Sequence, residues 1–331
     1  MTFPTGEQFE LALQTPSGML RAVITELAAG IRELSIDGVE LMQGFDAEIA
    51  PPSCAGVLLM PWGNRIPDGV WVDAAGTSHQ LAITEVDLNN AIHGLLRFAP
   101  YQVVERSDSA ITLGAQVFPQ LGYPFHLDTQ VRYELVADGL SVTHTVRNVA
   151  AGDAPVTVAS HPFLKIGGVP TEELVLTVNA DTHIDVDERL NPTGLSAVAG
   201  TPFDLRADSP LSRRVGDLAL DDAWGDSHVV DGETAHTLTA PDGRRVGIWG
   251  DENFGYVQVY ITPTFPARGS RAGTNDGGVH GTADAVVTAI AIEPMTGPAN
   301  AYNSGAGLKR VASGEEWVSR WGIRFAGFPS A

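Results

Sequence analysis

Cysteine is nearly absent: Cys54 is the only one in 331 residues. A single thiol excludes an internal disulfide framework and cannot build a thiolate metal site. Long apolar runs are missing as well, since no stretch approaches the roughly 18 consecutive apolar residues of a membrane-spanning helix. The opening residues, MTFPTGEQFELAL, show no basic start followed by an apolar run and a small-residue cleavage site. These absences lead to the expectation of a cytoplasmic protein. Positive charge is scarce: Lys and Arg total 20 against 40 Asp and Glu, a net charge of −20. That surface repels phosphate backbones and anionic lipid, so neither nucleic acid nor membrane is an expected partner. Motifs for bound groups are lacking too. The 9 histidines have no HxxxH or HxH spacing near acids. No GxxxxGK[ST] phosphate loop, strand–GxGxxG–helix unit or GxSxG nucleophile elbow is present. The expectation is therefore no metal and no cofactor.

What the chain does contain is many short strand-like segments. Leu20–Glu26 alternates loosely between apolar and polar residues, and Tyr133–Val146 does so more clearly on both sides of an Asp-Gly. Tyr256–Ile261 (YVQVYI) is rich in β-branched and aromatic residues, and Leu174–Val178 is a short apolar run. Such segments, bounded by Gly, Pro, Asn or Asp, are strand signals. Asp-Gly pairs at Asp37, Asp138, Asp231 and Asp242 lie between such runs and read as hairpin turns. Long amphipathic helical patterns are nearly absent. The expected fold is all-β, a large antiparallel β-sandwich, with residues 1–331 as one domain and no repeat of fixed period. Ala267–Ala285, rich in Gly and small polar residues, reads as a surface loop between two strands, either a tolerated insertion or a lid.

Acid–base catalysis needs one group to take a proton and another to give one, and carboxylates and histidines do this near neutral pH. Five places set such polar groups in apolar or turn-forming contexts. In PWGNRIPDG, Asn64 and Arg65 lie between Trp62 and Ile66. A guanidinium there is costly unless it is paired, faces a ligand or reaches solvent. In NNAIHGLLRF, His93 precedes Gly94 and can be structural or functional. In VTVASHPFLKIGG, His161 follows a β-branched run and precedes Pro162, so it ends a strand. In LALDDAWGD, Asp221 and Asp222 lie beside Trp224, as in a packed turn or a binding loop. In VVTAIAIEPMTGPANAYN, Glu293 ends a long apolar strand before Pro294. Burial there raises a carboxyl toward the working range of a base, making Glu293 the best catalytic candidate on chemistry alone.

Taken in order, these places resemble the aldose 1-epimerase (galactose mutarotase-like) family. The Asn-Arg pair appears as Asn64-Arg65, the His-Gly as His93, and the histidine before Pro and an aromatic as His161. The aspartate of LDDAW is Asp221, the strand glutamine of VQVY is Gln258, and the glutamate before a Pro/Asn-rich loop is Glu293. GLKRVASGEEWVSRWGIRF looks like the family's closing strand. The likeness runs from about Gly18 to Phe325. Ser160, Asp222 and Met295 depart from the common pattern, which bears on the choice of sugar more than on the chemistry.

The resemblance implies the galactose mutarotase-like supersandwich. It implies exchange of α and β anomers of an aldohexose such as glucose or galactose, with the sugar as the partner and the chain acting as a monomer or homodimer. Glu293 would be the base on the C1 hydroxyl and His161 the acid on the ring oxygen. The acid limb of the pH profile would then come from Glu293 and the alkaline limb from His161. Asn64, Arg65, His93, Asp221 and Gln258 would bind the sugar, with Trp62 or Trp224 against its apolar face. A hexose-6-phosphate 1-epimerase would further need a basic pocket, for which Arg97, Lys165 and Arg132 are the candidates. A non-catalytic sugar-binding protein on the same fold would not need the acid and base together. A glycoside hydrolase would need two carboxylates flanking the bond.

Overall fold

The computed structural model describes residues 3–269 and 285–328. It is built almost wholly from antiparallel strands. The one α-helix among the described residues is the single turn Ala301–Ser304. Tyr133–Val146 falls within one long hairpin, Leu127–Val136 paired with Gly139–Asn148. Inward residues of this hairpin, Val131, Tyr133, Leu135, Leu140, Val142 and Val146, are buried, and the intervening positions are more exposed. That is the period of two expected of a sheet with one face on the core. The Asp-Gly pairs do turn hairpins. Asp37-Gly38 (φ 46° and 77°) and Asp231-Gly232 (φ 53° and 84°) have both residues left-handed, the conformation that matches strand twist in two-residue turns.

Two eight-stranded sheets dominate. The first runs Gln102–Arg106, Ala110–Val117, Leu127–Val136, Gly139–Asn148, Glu316–Ala326, Arg245–Gly250, Thr234–Thr239, Val175–Val178. The second, called here the site sheet, has a main path of seven strands: Pro192–Ala197, Ala180–Val186, Asp221–Ser227, Tyr256–Pro266, Val286–Met295, Ala159–Ser160, Leu58–Leu59. Its eighth, Phe163–Leu164, pairs with Val286–Met295. A four-stranded sheet, Gln8–Thr15 through Val39–Glu40, flanks them. One continuous buried cluster takes in Val131, Val142 and Ile323 from the first sheet and Val257, Val259, Ile290 and Ile292 from the second. Burying each of these aliphatic side chains stabilises the fold by about 1.5–3 kcal/mol. Val286–Met295 lies inside the site sheet, and every residue from Ala289 to Met295 is buried. This is why that segment reads as an unbroken apolar run rather than an alternating one. The glycine-rich loop expected over Ala267–Ala285 lies almost entirely outside the described residues. Among the described residues, no helix is long and apolar enough to cross a membrane.

Candidate active site

Register brings the predicted polar residues together. Gln258 stands directly opposite Glu293, and Asp221 on the next strand stands opposite Tyr260, two residues along from Gln258. Residues two apart on a strand share a face, so Asp221, Gln258 and Glu293 project from one side of the site sheet. On the other flank of Val286–Met295, Ala159 pairs with Met295, and His161 follows two residues later. His161 Nε2 lies 3.3 Å from Glu293 Oε1. A separate antiparallel pair, Arg65–Pro67 with Asn90–Ile92, carries the remaining candidates. His93 N–H donates to the Asn64 carbonyl at 3.0 Å, so Asn64, Arg65 and His93 sit at one end of this pair.

The flanking glycines explain the local motifs. Gly94 has φ +72°, and a Cβ there would lie 2.1 Å from the Met60 carbonyl oxygen, so only glycine fits after His93. Gly63 approaches Ala159 so closely that a Cβ would meet that residue's Cβ at 2.7 Å. The Asn64 loop is thereby pressed against the strand leading to His161. Asn64 and His93 are themselves left-handed, at φ 54° and 65°. Strain of this kind persists only where the surroundings impose it.

A hydrogen-bond chain joins the group. Asn64 Nδ2 donates to Gln258 Oε1 at 3.0 Å, and Gln258 Nε2 donates to Asp221 Oδ1 at 2.7 Å. Arg65 Nη2 is 3.6 Å from Asp221 Oδ2. The rings of His93 and His161 meet edge to face, 5.8 Å apart. Glu293 is 2% exposed and His161 5%. Glu293 Oε2, His161 Nδ1, His93 Nδ1 and Ser160 Oγ are buried without a hydrogen-bond partner among the described residues. Buried polar atoms are normally paired, so unpaired ones on Glu293, His161 and His93 leave hydrogen-bonding capacity that hydroxyl groups could take up.

Burial sets the charges. It pushes the Glu293 carboxyl well above its ordinary range; Asp221 adds to the rise and Arg65 opposes it. Burial also holds the His161 imidazole down to about 4 and keeps His93 well below its usual value. Asp221 is raised by burial, against the pull of Arg65. The order inferred for the pair is thus reversed: the carboxyl holds its proton more tightly than the imidazole.

All seven predicted site residues lie in this one region. The aromatic partners do not follow expectation. Trp224 and Asp222 alternate with Asp221 and point to the opposite face, where Trp224 is fully buried and donates Nε1–H to the Phe203 carbonyl. Trp62 is buried edge-on against Tyr302. Neither ring offers an open face. Of the candidate phosphate ligands only Arg97 lies near the site, where its charge acts on His93. Lys165 is bonded to Glu40 at 2.7 Å, and Arg132 is paired with Glu105 and Glu134 on the first sheet. A groove of about 420 Å³ lined by Lys165, Gln43, Thr171 and Thr288 contains none of the seven candidate sugar-site residues. Among the described residues, no group of three or more His, Cys, Asp or Glu could hold a metal ion.

One residue escaped the sequence. Glu85 grips the Arg65 guanidinium through Nε and Nη2 at 3.0 Å each. Its segment, LAITEVDLNN, reads as an ordinary charged turn. The only signal was indirect, since a buried arginine requires a carboxylate.

Comparison with known proteins agrees with this arrangement. The sequence profile of aldose 1-epimerase matches residues 11–324. The uncharacterized protein YihR of Escherichia coli K12 is 31% identical over 301 residues, 90% of this chain and 88% of that protein. Human galactose mutarotase is 31% identical over 175 residues, about half of each chain. A GalM/aldose epimerase homologue from Caenorhabditis elegans superposes with a TM-score of 0.78 at 17% identity, covering 98% of this chain and 100% of its own. The galactose 1-epimerase of Lactobacillus acidophilus gives 0.70 at 19% identity, covering 96% and 94%. These structural matches bear on the fold, which is the galactose mutarotase-like β-sandwich. With its profile matched almost end to end, the chain belongs to the aldose 1-epimerase family.

Proposed function

We propose that the chain is a mutarotase of free aldohexoses such as glucose or galactose, with Glu293 and His161 as its proton-transfer pair. The observation that carries the reading is this buried acid and imidazole, 3.3 Å apart, ringed by donors and acceptors suited to hydroxyls. Glu293 takes the proton of the C1 hydroxyl, and the O1–H electrons become the new C=O bond. The C1–O5 bond breaks, its electrons stay on O5, and His161 supplies the proton there. Rotation about C1–C2 turns the aldehyde over, and closure runs the two transfers backwards. The pair begins and ends with one proton, so no group outside the site is consumed. Each transfer contributes about 10²–10⁴-fold. Arg65, His93 and Asn64 hold sugar oxygens from one side, and Asp221 and Gln258 from the other.

Lys165 and Arg132 are paired with other acids, which leaves Arg97, whose charge acts on His93, as the one of the three phosphate candidates near the site; this favours a free sugar over a 6-phosphate. Polarimetry of freshly dissolved α-D-glucose, α-D-galactose and α-D-glucose 6-phosphate tests the choice. Acceleration of a free sugar with little effect on the phosphate is expected. Acceleration of the phosphate alone would replace this reading with the hexose-6-phosphate one.

A further inference from the structure

Arg65 has three edges, and the protein occupies most of them. Glu85 takes the Nε/Nη2 edge as a fork, at 3.1 and 3.0 Å from Nε and 3.0 Å from Nη2. Asp221 stands 3.6 Å from Nη2, and Asn64 Oδ1 lies 3.4 Å from Nη1, a long contact. Nη1 is thus the least satisfied donor. Glu85 is in turn fixed. Its Oε2 accepts from Asn90 Nδ2 at 2.8 Å, and its backbone N–H and C=O both bond to Asn90. Asn90 is fully buried and begins the strand that leads to His93. The turn between Glu85 and Asn90 is clamped from outside by Arg189. Its Nε donates to the Leu88 carbonyl and its Nη2 to the Asn89 carbonyl, both at 2.9 Å, and Nη2 also reaches Asp68 Oδ1 at 2.8 Å.

Resting on the mutarotase reading, we propose that Glu85 is a positioning residue: it fixes the plane of the Arg65 guanidinium so that the Nη1 edge meets the sugar, with Arg189 holding the Glu85 turn in place. A fork of two parallel bonds sets orientation as well as energy, which a single contact does not. Without it, a guanidinium on a flexible stem turns toward the remaining acids that face it, Asp221 and Glu293, and away from the sugar.

The test is a double-mutant cycle. Glu85→Gln keeps the shape and removes the fork. It should raise the KM for D-galactose or D-glucose about tenfold, the cost of one charge-assisted bond, while kcat changes less than about threefold. In an Arg65→Ala background the same substitution should do nothing further, because groups acting through one another are not additive. Arg189→Ala, remote from the sugar, should move KM the same way by a smaller factor and also fall silent in that background. It serves if Glu85→Gln does not fold. An unchanged KM in both Glu85→Gln and Arg189→Ala, or losses fully additive with Arg65→Ala, overturns the proposal. Equilibrium binding of the same sugars separates this from the functional reading. If the wild-type protein binds sugar but leaves mutarotation unaccelerated, the functional reading fails, and the cycle is then read on Kd.

Discussion

A carboxylic acid and an imidazole buried side by side titrate as one unit. Here burial drives them apart in the unusual direction, the Glu293 carboxyl upward and the His161 imidazole down to about 4. The reactive arrangement, carboxylate with imidazolium, is then a minor form of the singly protonated pair. If the pair is catalytic as proposed, the wild-type profile should still be bell-shaped, with the acid limb following His161 and the alkaline limb Glu293. Removing the imidazole exposes the order. In His161→Gln, the residual kcat needs only ionised Glu293, so it should climb with pH through the range where the wild type declines. A His161→Gln profile that rises already in the acid range and stays flat where the wild type declines would show the ordinary order instead. Chain context pointed to both residues: Glu293 ends an apolar strand before Pro294, and His161 ends another before Pro162. It indicated burial for Glu293 but not for His161, and burial of both is what inverts them. Glu85 stayed hidden for a different reason, since its partner Arg65 is brought to it only by the fold.

At the level of strands, the site is a consequence of register. A one-residue slip between Tyr256–Pro266 and Val286–Met295 would turn Gln258 to the face away from Glu293. Hairpins joined by Asp-Gly were readable because turn and alternation are both local. The pairing of Ala159 with Met295, which sets His161 beside Glu293, was not, because nothing local encodes a contact between segments so far apart. The far side of the same sheet holds another device that sequence did not announce. His183 lies between Asp185 at 3.0 Å and Asp222 at 2.9 Å, stacked on Phe203. It ties Ala180–Val186 to Asp221–Ser227. Burial works against its charge, but the bonds to Asp222 and Asp185 outweigh it and hold His183 above its ordinary value. A raised imidazole stabilises the fold fully below its unfolded value and loses that contribution as pH rises through the folded one. His183→Gln should therefore cost about 1.5–3 kcal/mol near pH 6 and less near pH 9, measured by urea unfolding. A cost that grows with pH would refute this assignment of charge.

Among the described residues, four buried histidines work the other way. His93, His144, His161 and His236 are all held below their ordinary value by burial, His144 to about 3 and His236 to about 4. His144 accepts the Trp321 indole N–H at 2.9 Å, a bond made by the neutral ring. The unfolded chain protonates these groups near 6.5 and the folded chain does not, so each one removes about 1.4 kcal/mol of stability per pH unit as pH falls below that value. Glu293, raised instead, works in the opposite direction. The urea midpoint should fall between pH 7 and pH 5, and a flat or rising midpoint would contradict the neutral-imidazole picture. The large antiparallel sandwich was foreseeable from short alternating strands and scarce helix. The central claim concerns chemistry, and one measurement bears on it most directly: polarimetric mutarotation of α-D-galactose and α-D-glucose by the wild-type protein and by Glu293→Gln. The wild type should accelerate both clearly, and Glu293→Gln should lower kcat by about 10²–10⁴-fold at an unchanged melting temperature. A Glu293→Gln protein that keeps more than about a tenth of wild-type kcat would contradict the claim, that loss being too small for a general base.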